Sequence, residues 1–337
     1  MKHIVACTMK NEGPYLLEWV AYHLSIGFDG FIICSNDCSD GTNLMLNRLD
    51  AMGIVIHIDN PQGPNMDPQR SAYSKINSHP KFREADWALV IDADEFLNVK
   101  TGDHSVHALI AACPEASAIS PCWKMMGSAG KREFSPEEMV TERFTRGSTN
   151  EEPENGLVWG FKTLFRPEKF DYLGVHRPRF HKHKPTPGPE HVRWYNGSGV
   201  DQGTRFYEKG WRCNTESMGY DLAQINHYAI KSREDFILKR LRGTANAGSN
   251  KNRINEEYWG KYDLNATVDQ TIYTGSLRAE LAKLLADEEL AVLQRASIDS
   301  ARRTLADQMK DDGVRAFVET GAFPKEDGSK KKKRKAA

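Results

Sequence analysis

Three carboxylates fall within four residues at Asp92, Asp94 and Glu95, in the stretch WALVIDADEFLNV, directly after an apolar run. On an extended chain Asp92 and Asp94 point to one side and Ala93 to the other. Like charges that close repel unless a cation lies between them. A hard divalent cation with oxygen ligands, Mn²⁺ or Mg²⁺, meets that need. Such an ion takes one or two protein carboxylates and completes its shell with phosphate oxygens and water. The spacing at a strand end therefore reads as a clamp on a metal and a diphosphate, with Glu95 bracing the turn. The plainer alternative is that the acids cap the next element and face solvent.

The elements that must position these acids are legible in the first hundred residues. HIVACTM, GFIICS, IVIHID and DWALVID are short apolar runs rich in β-branched residues. Between them lie helical patterns: YLLEWVAYHLSIG with Pro14 in its first turn, NLMLNRLDAMG, and PQRSAYSKINSH. Strands alternating with helices predict a doubly wound, mostly parallel sheet flanked by helices. Ligands of such sheets bind beyond the carboxyl ends of the strands, a rim that holds Thr8 to Asn11, Asn36 and Asp37, Asp59 and Asn60, and Asp92 to Glu95. Residues 125–215 are rich in turn formers. Ser232 and Asp235 have the spacing of a capping box ahead of FILKRLRG. GTANAGSNKNR reads as a loop, and the run from Ser276 to Met309 as two helices of a C-terminal helical region.

The 337 residues, 39% hydrophobic and 27% charged, suit a soluble globular chain with a real core. Basic and acidic residues balance at 46 each, which gives no whole-molecule field for nucleic acid. Six of the basic residues lie in the tail Lys330 to Lys335, expected to be disordered. The sharper alternative for that tail is weak contact with an anionic membrane surface, worth about 1 kcal/mol per Lys or Arg. Six scattered cysteines form no CxxC pair, as expected of buried thiols in a reducing compartment. MKHIVACTMKNEG has no apolar signal core, so a cytoplasmic protein, peripheral at most at the inner membrane face, is expected.

MKNEGPYLLEWVAYHLSIGFDGFIICSNDCSDGT, WALVIDADEFL, GFKTLFRP, GVHRP and INHYAIKSREDFILKRLRG together resemble glycosyltransferases of family 2, closest to a family 92-like branch. The pieces span residues 4 to about 243. The resemblance implies a GT-A-type fold, a nucleotide-sugar donor, a glycan or other hydroxyl acceptor, and inversion at the transferred carbon. It implies that Asp92 and Asp94 hold Mn²⁺ or Mg²⁺ against the donor diphosphate, where the ion neutralises charge on the leaving group. Lys10, Asn11, Glu12 and Asp37 would line the nucleotide pocket, with Arg70 touching the donor. A carboxylate such as Asp37 can accept the uracil imide N–H, which favours UDP. NDCSDGT departs from the commonest family pattern, with Asn36 where an acid is usual.

The same resemblance points to a later histidine as a further metal ligand. His227 in INHY is favoured and His176 in GVHRP is the alternative; HKHK at residues 181–184 alternates with lysines and reads as solvated. Inverting transfer needs a base for the acceptor hydroxyl, usually Asp or Glu. No clear copy of the family's ED-type motif follows the acid pair; Glu216 and Asp201 are the candidates, with Asp221 third. Lys231, Arg240 and Arg242 are placed to steady phosphates, although a coat on an amphipathic helix is the plainer reading. Residues 1–122 are expected to bind donor and metal, 123–260 to build the acceptor side of the same domain, 261–322 to form the helical region, and 323–337 the basic tail. Two rival activities are a nucleotidyltransferase, disfavoured by the missing Gly-rich loop, and a non-catalytic glycan- or nucleotide-binding protein.

Overall fold

The computed structural model describes residues 2–61, 63, 67–150, 159–181, 191–208, 210–243 and 254–324. The first half runs β1 (His3–Met9), α1 (Gly13–Ser25), β2 (Gly30–Ser35), α2 (Thr42–Ala51), β3 (Val55–Asp59), α3 (Pro68–Ser78), α4 (Pro80–Arg83), β4 (Trp87–Val90), β5 (Glu95–Val99) and α5 (Val106–Ala112). Short elements follow: β6 (Ala118–Ser120), β7 (Trp123–Met125), α6 (Val140–Arg143), β8 (Arg146–Gly147), β9 (Leu164–Phe165), β10 (Trp194–Asn196), α7 (Arg205–Glu208) and β11 (Ala223–His227). The chain ends on α8 (Arg233–Arg242), α9 (Glu256–Tyr262), β12 (Thr267–Val268), α10 (Leu277–Leu285), α11 (Glu288–Gln308) and α12 (Asp312–Thr320).

The four expected strands form the parallel part of a seven-stranded sheet ordered β10-β6-β9-β4-β1-β2-β3. β9 enters antiparallel between β4 and β6. Both faces are covered, as a parallel sheet requires. Val5 and Cys7 of β1 face the core beneath α1, α10 and α11, while Ile4 and Ala6 face the core beneath α3. The predicted α/β architecture is thus present, with the C-terminal helices packed on the same core. Two helices were expected there, and α12 is a third. The capping box forms at α8: Ser232 Oγ accepts from Asp235 N while the Asp235 carboxylate accepts from Ser232 N.

A second, three-stranded sheet, β5-β11-β7, stands beside the first. α1 pins it, because Trp19 Nε1 donates to Glu95 O and Tyr22 Oη to Leu97 O. Among the described residues no helix is long and apolar enough to cross a membrane. The expected loop 243–253 beyond Gly243, Lys182 to Lys184 of HKHK, and the tail beyond Pro324 lie outside the described residues.

Candidate active site

The acid cluster sits where the chain leaves the large sheet for the small one. β4 ends at Val90, β5 begins at Glu95, and Ala93 and Asp94 form the turn between them. This corrects the extended geometry expected for Asp92 and Asp94. A change of sheet needs a turn, so the two carboxylates point to different partners.

Asp92 is held by a lysine with no exposed side chain. Lys162 Nζ donates to Asp92 Oδ2 at 2.9 Å and to Val175 O at 3.1 Å, and lies 3.3 Å from Glu95 Oε2. Glu95 Oε2 also accepts from Asp92 N at 2.8 Å, bracing the turn. Two carboxylates share one ammonium. Burial raises Glu95 to about 7, Lys162 opposes that shift, and Asp92 adds to it. Burial lowers the Lys162 pKa, but Asp92 and Glu95 together lift it above the usual lysine range.

Asp94 belongs to a second group. β11 runs antiparallel to β5 with His227 opposite Glu95, and Tyr228 N continues the ladder to Asp94 O. This register delivers His227 to the turn: its Nε2 lies 3.6 Å from Asp94 Oδ1. From α8, Lys239 Nζ donates to Asp94 Oδ2 at 2.8 Å and to Ala229 O at 2.5 Å. Burial pushes the Asp94 pKa up, but Lys239, His227 and Lys231 outweigh it and hold the carboxyl well below the usual range. Behind His227 stands an aromatic wall of Trp123, His176 and Trp211, with His176 stacked on Trp211 at 4.6 Å.

Lys239 also lines a cavity of about 300 Å³ between the amino end of α1, α8 and α11. Of the residues expected at the nucleotide, Asn11, Glu12, Lys231 and Arg242 line it too. Asn11, at φ 52°, exchanges hydrogen bonds with Ser39, tying the loop after β1 to the loop after β2. Arg242 is ion-paired with Glu12. Lys231, also left-handed at φ 57°, places its ammonium 4.8 Å from the centre of the Tyr15 ring. No carboxylate among the described residues lies within ion-pair distance of it.

Other expected residues stand elsewhere. Thr8 is buried and accepts from Asn36 Nδ2. Lys10 is half-buried; Asp37, at φ 41°, and Arg70 on α3 are exposed. Arg240 points away, with its guanidinium over Phe323. Asp201 pairs with Arg193 beside the edge strand β10, and Glu216 pairs with Arg205. Neither has a described contact with the acid turn. Lys162 and Lys239 were missed. Lys239 carried a signal, since residues 235, 239 and 242 share one face of a helix and 240 does not.

Metal fit follows from the donor chemistry. Among the described residues no three His, Cys, Asp or Glu side chains gather to hold an ion by themselves. Asp94 Oδ1 and His227 Nε2 nevertheless face each other beyond hydrogen-bond reach, and His227 Nδ1 is buried without a partner. An oxygen and an imidazole nitrogen suit Mn²⁺, and Mg²⁺ less well. The pair fits an ion that shares its remaining positions with phosphate and water, and does not fit a closed structural site.

Residues 4–257 match the sequence profile of glycosyltransferase family 92. A family 92 protein of Oryza sativa subsp. japonica is 25% identical over 143 residues, 41% of this chain and 24% of the rice protein. One from Ricinus communis is 24% identical over 178 residues, 50% of this chain and 29% of its own. The chain thus spans about a quarter of the length of these curated relatives. The solved structure of S. aureus TarS 1–349 aligns with a TM-score of 0.36 at 12% identity, covering 92% of this chain and 91% of that one. The same protein in complex with UDP aligns with a TM-score of 0.35.

Proposed function

The chain belongs to glycosyltransferase family 92, and from that premise we propose that it transfers a sugar, with inversion, from a nucleotide-diphosphate donor, a UDP-sugar, to a hydroxyl of a glycan or other acceptor. The observation that carries the reading is the meeting of Asp94 and His227 with Lys239, which lines a cavity together with Lys231 and Arg242.

Asp94 and His227 would hold Mn²⁺ or Mg²⁺, with Asp92 as the second carboxylate of the acid pair. The ion supplies a positive charge that offsets the charge gathering on the departing diphosphate. Lys231 binds and orients phosphate oxygens, being the cavity lysine with no ion pair among the described residues. Arg242 is poised to move from Glu12 to phosphate, since Arg pairs with either anion. Glu12 and Asn11 then address the sugar or the nucleoside. Lys162 and Glu95 keep the turn in place without touching the donor. Removal of the acceptor proton falls to a carboxylate, with Glu216 and Asp201 the two proposed.

The test is calorimetric titration of UDP, GDP and ADP, with and without Mn²⁺, into wild type and Asp94→Ala. Metal-linked binding of UDP, lost in the folded variant, is the expected result. Absence of metal-linked binding for all three nucleotides would sink the reading. Glu216→Gln and Asp201→Asn, assayed for turnover at intact UDP affinity, then decide between the proposed bases.

A further inference from the structure

The cavity beside Asp94 has an outer wall that does not come from the family region. The profile match ends at residue 257, while Ser300, Ala301 and Thr304 of α11 line the cavity together with Asn11 and Glu12. α11 is fixed in that position. Leu290, Ile298 and Leu305 anchor it in the core, Arg48 pairs with Asp287 at its start, and Gln294 Nε2 donates to Pro14 O. It also approaches α1 unusually closely: a Cβ on Gly13 would fall 2.1 Å from Ser297 Oγ, so only glycine permits this seat for the helix.

The two ends of the cavity differ in chemistry. At the α8 end stand Lys231, Lys239 and Arg242, which suit an anion. Toward α11 the lining is two small hydroxyls and a methyl; Tyr15 and Leu238 supply apolar surface on the α8 side with Phe134 against Tyr15, and Glu12, Asp40 and Asp235 also line the cavity. Cations and aromatic surface on one side and small hydroxyl-bearing residues on the other match a nucleoside carrying phosphates. The volume is at the lower limit for a small-molecule site. On the premise that the chain binds a nucleotide-diphosphate donor, we infer that the nucleoside sits in this cavity and that Ser300, Ala301 and Thr304 select it. A segment outside the family match thereby sets donor specificity in this chain.

Bulk added to the wall tests this. Ala301→Trp and Thr304→Trp fill the cavity, whereas Ala306→Trp adds the same ring on the outer side of α11. The full-length proteins are titrated with UDP and Mn²⁺ after melting curves establish that each is folded. The first two should weaken UDP binding by about tenfold or more, a change of roughly 1.4 kcal/mol or greater, and Ala306→Trp should leave it unchanged. In wild type, UDP should also slow hydrogen exchange in α11, a readout that needs no variant. Wild-type UDP binding that survives both substitutions within about twofold, with α11 exchange unmoved, overturns the inference and leaves the donor reading standing. A wild type that binds no nucleotide overturns both.

Discussion

Asp92 and Asp94 are two residues apart in one motif, yet the protein treats them differently. Asp92 is anchored by Lys162, which lies in the segment just before β9, has no exposed side chain and also serves Glu95. Asp94 is met from outside by Lys239, a helix residue that lines a cavity, and by His227 from the small sheet. One half of the motif is tied to Lys162 and the other to Lys239, which lines the cavity. Two acids of one motif thus have unlike surroundings, which a reading of the motif as two equivalent ligands overlooks.

The largest effect should fall on the anchored half. Lys162→Met would leave the buried Glu95 and the half-buried Asp92 without their cation, a loss of about 3–5 kcal/mol, measured by urea unfolding. If the variant keeps wild-type stability, Lys162 does not anchor the turn. Asp94→Asn should act mainly on turnover. It should lower kcat/KM for sugar transfer by about a hundredfold to a thousandfold, roughly 3–4 kcal/mol, while stability falls by less than in Lys162→Met, by the worth of the charge-assisted bond to Lys239, about 1.5–3 kcal/mol. Equal losses of stability and turnover in both variants would erase the division.

Glu18 extends the comparison to a buried carboxylate held without a lysine partner. It accepts hydrogen bonds from Val140 N, Thr141 N and Thr141 Oγ1, yet burial outweighs them and raises its pKa from 4.5 to about 7. The folded chain therefore binds this proton more tightly than the unfolded chain does. The stabilisation is complete below the unfolded pKa of 4.5, is lost as pH rises through about 7, and does not change further above that. The span is about 3–4 kcal/mol, and Glu18→Gln should remove it. Unfolding midpoints of both proteins at pH values on either side of that window check this.

The parts of this site that were legible in sequence are those set by local pattern. The four parallel strands, α1 with Pro14, the capping box at Ser232 and the strand-end position of Asp92 to Glu95 follow from periodicity and turn chemistry. Lys162 was not legible, because its burial depends on two carboxylates 70 and 67 positions earlier, and an isolated lysine in GFKTLFRP reads as surface. The extended geometry of Asp92 and Asp94 failed for a related reason: alternation along a strand says nothing about a strand that hands over to another sheet. The place of α11 was hidden because its pattern shows that one face packs, without showing against what. Long-range partners, not local propensities, decide which polar residues face the cavity.

Lys239→Met is the smallest of these effects and the sharpest probe of the Asp94 half. Its side chain is about one-seventh exposed, and Asp94 keeps His227 nearby when it is gone. The stability lost should therefore be nearer that of one charge-assisted hydrogen bond, about 1.5–3 kcal/mol, and less than that of Lys162→Met. UDP affinity should fall as well, because one of the cavity's cations is gone, whereas in Lys162→Met the folded fraction should bind UDP normally. Comparing unfolding midpoints and UDP titrations of the two variants side by side puts each lysine on its own axis. If Lys239→Met matches Lys162→Met in lost stability and leaves UDP affinity untouched, both lysines are scaffold, and the adjustable half of the motif does not exist.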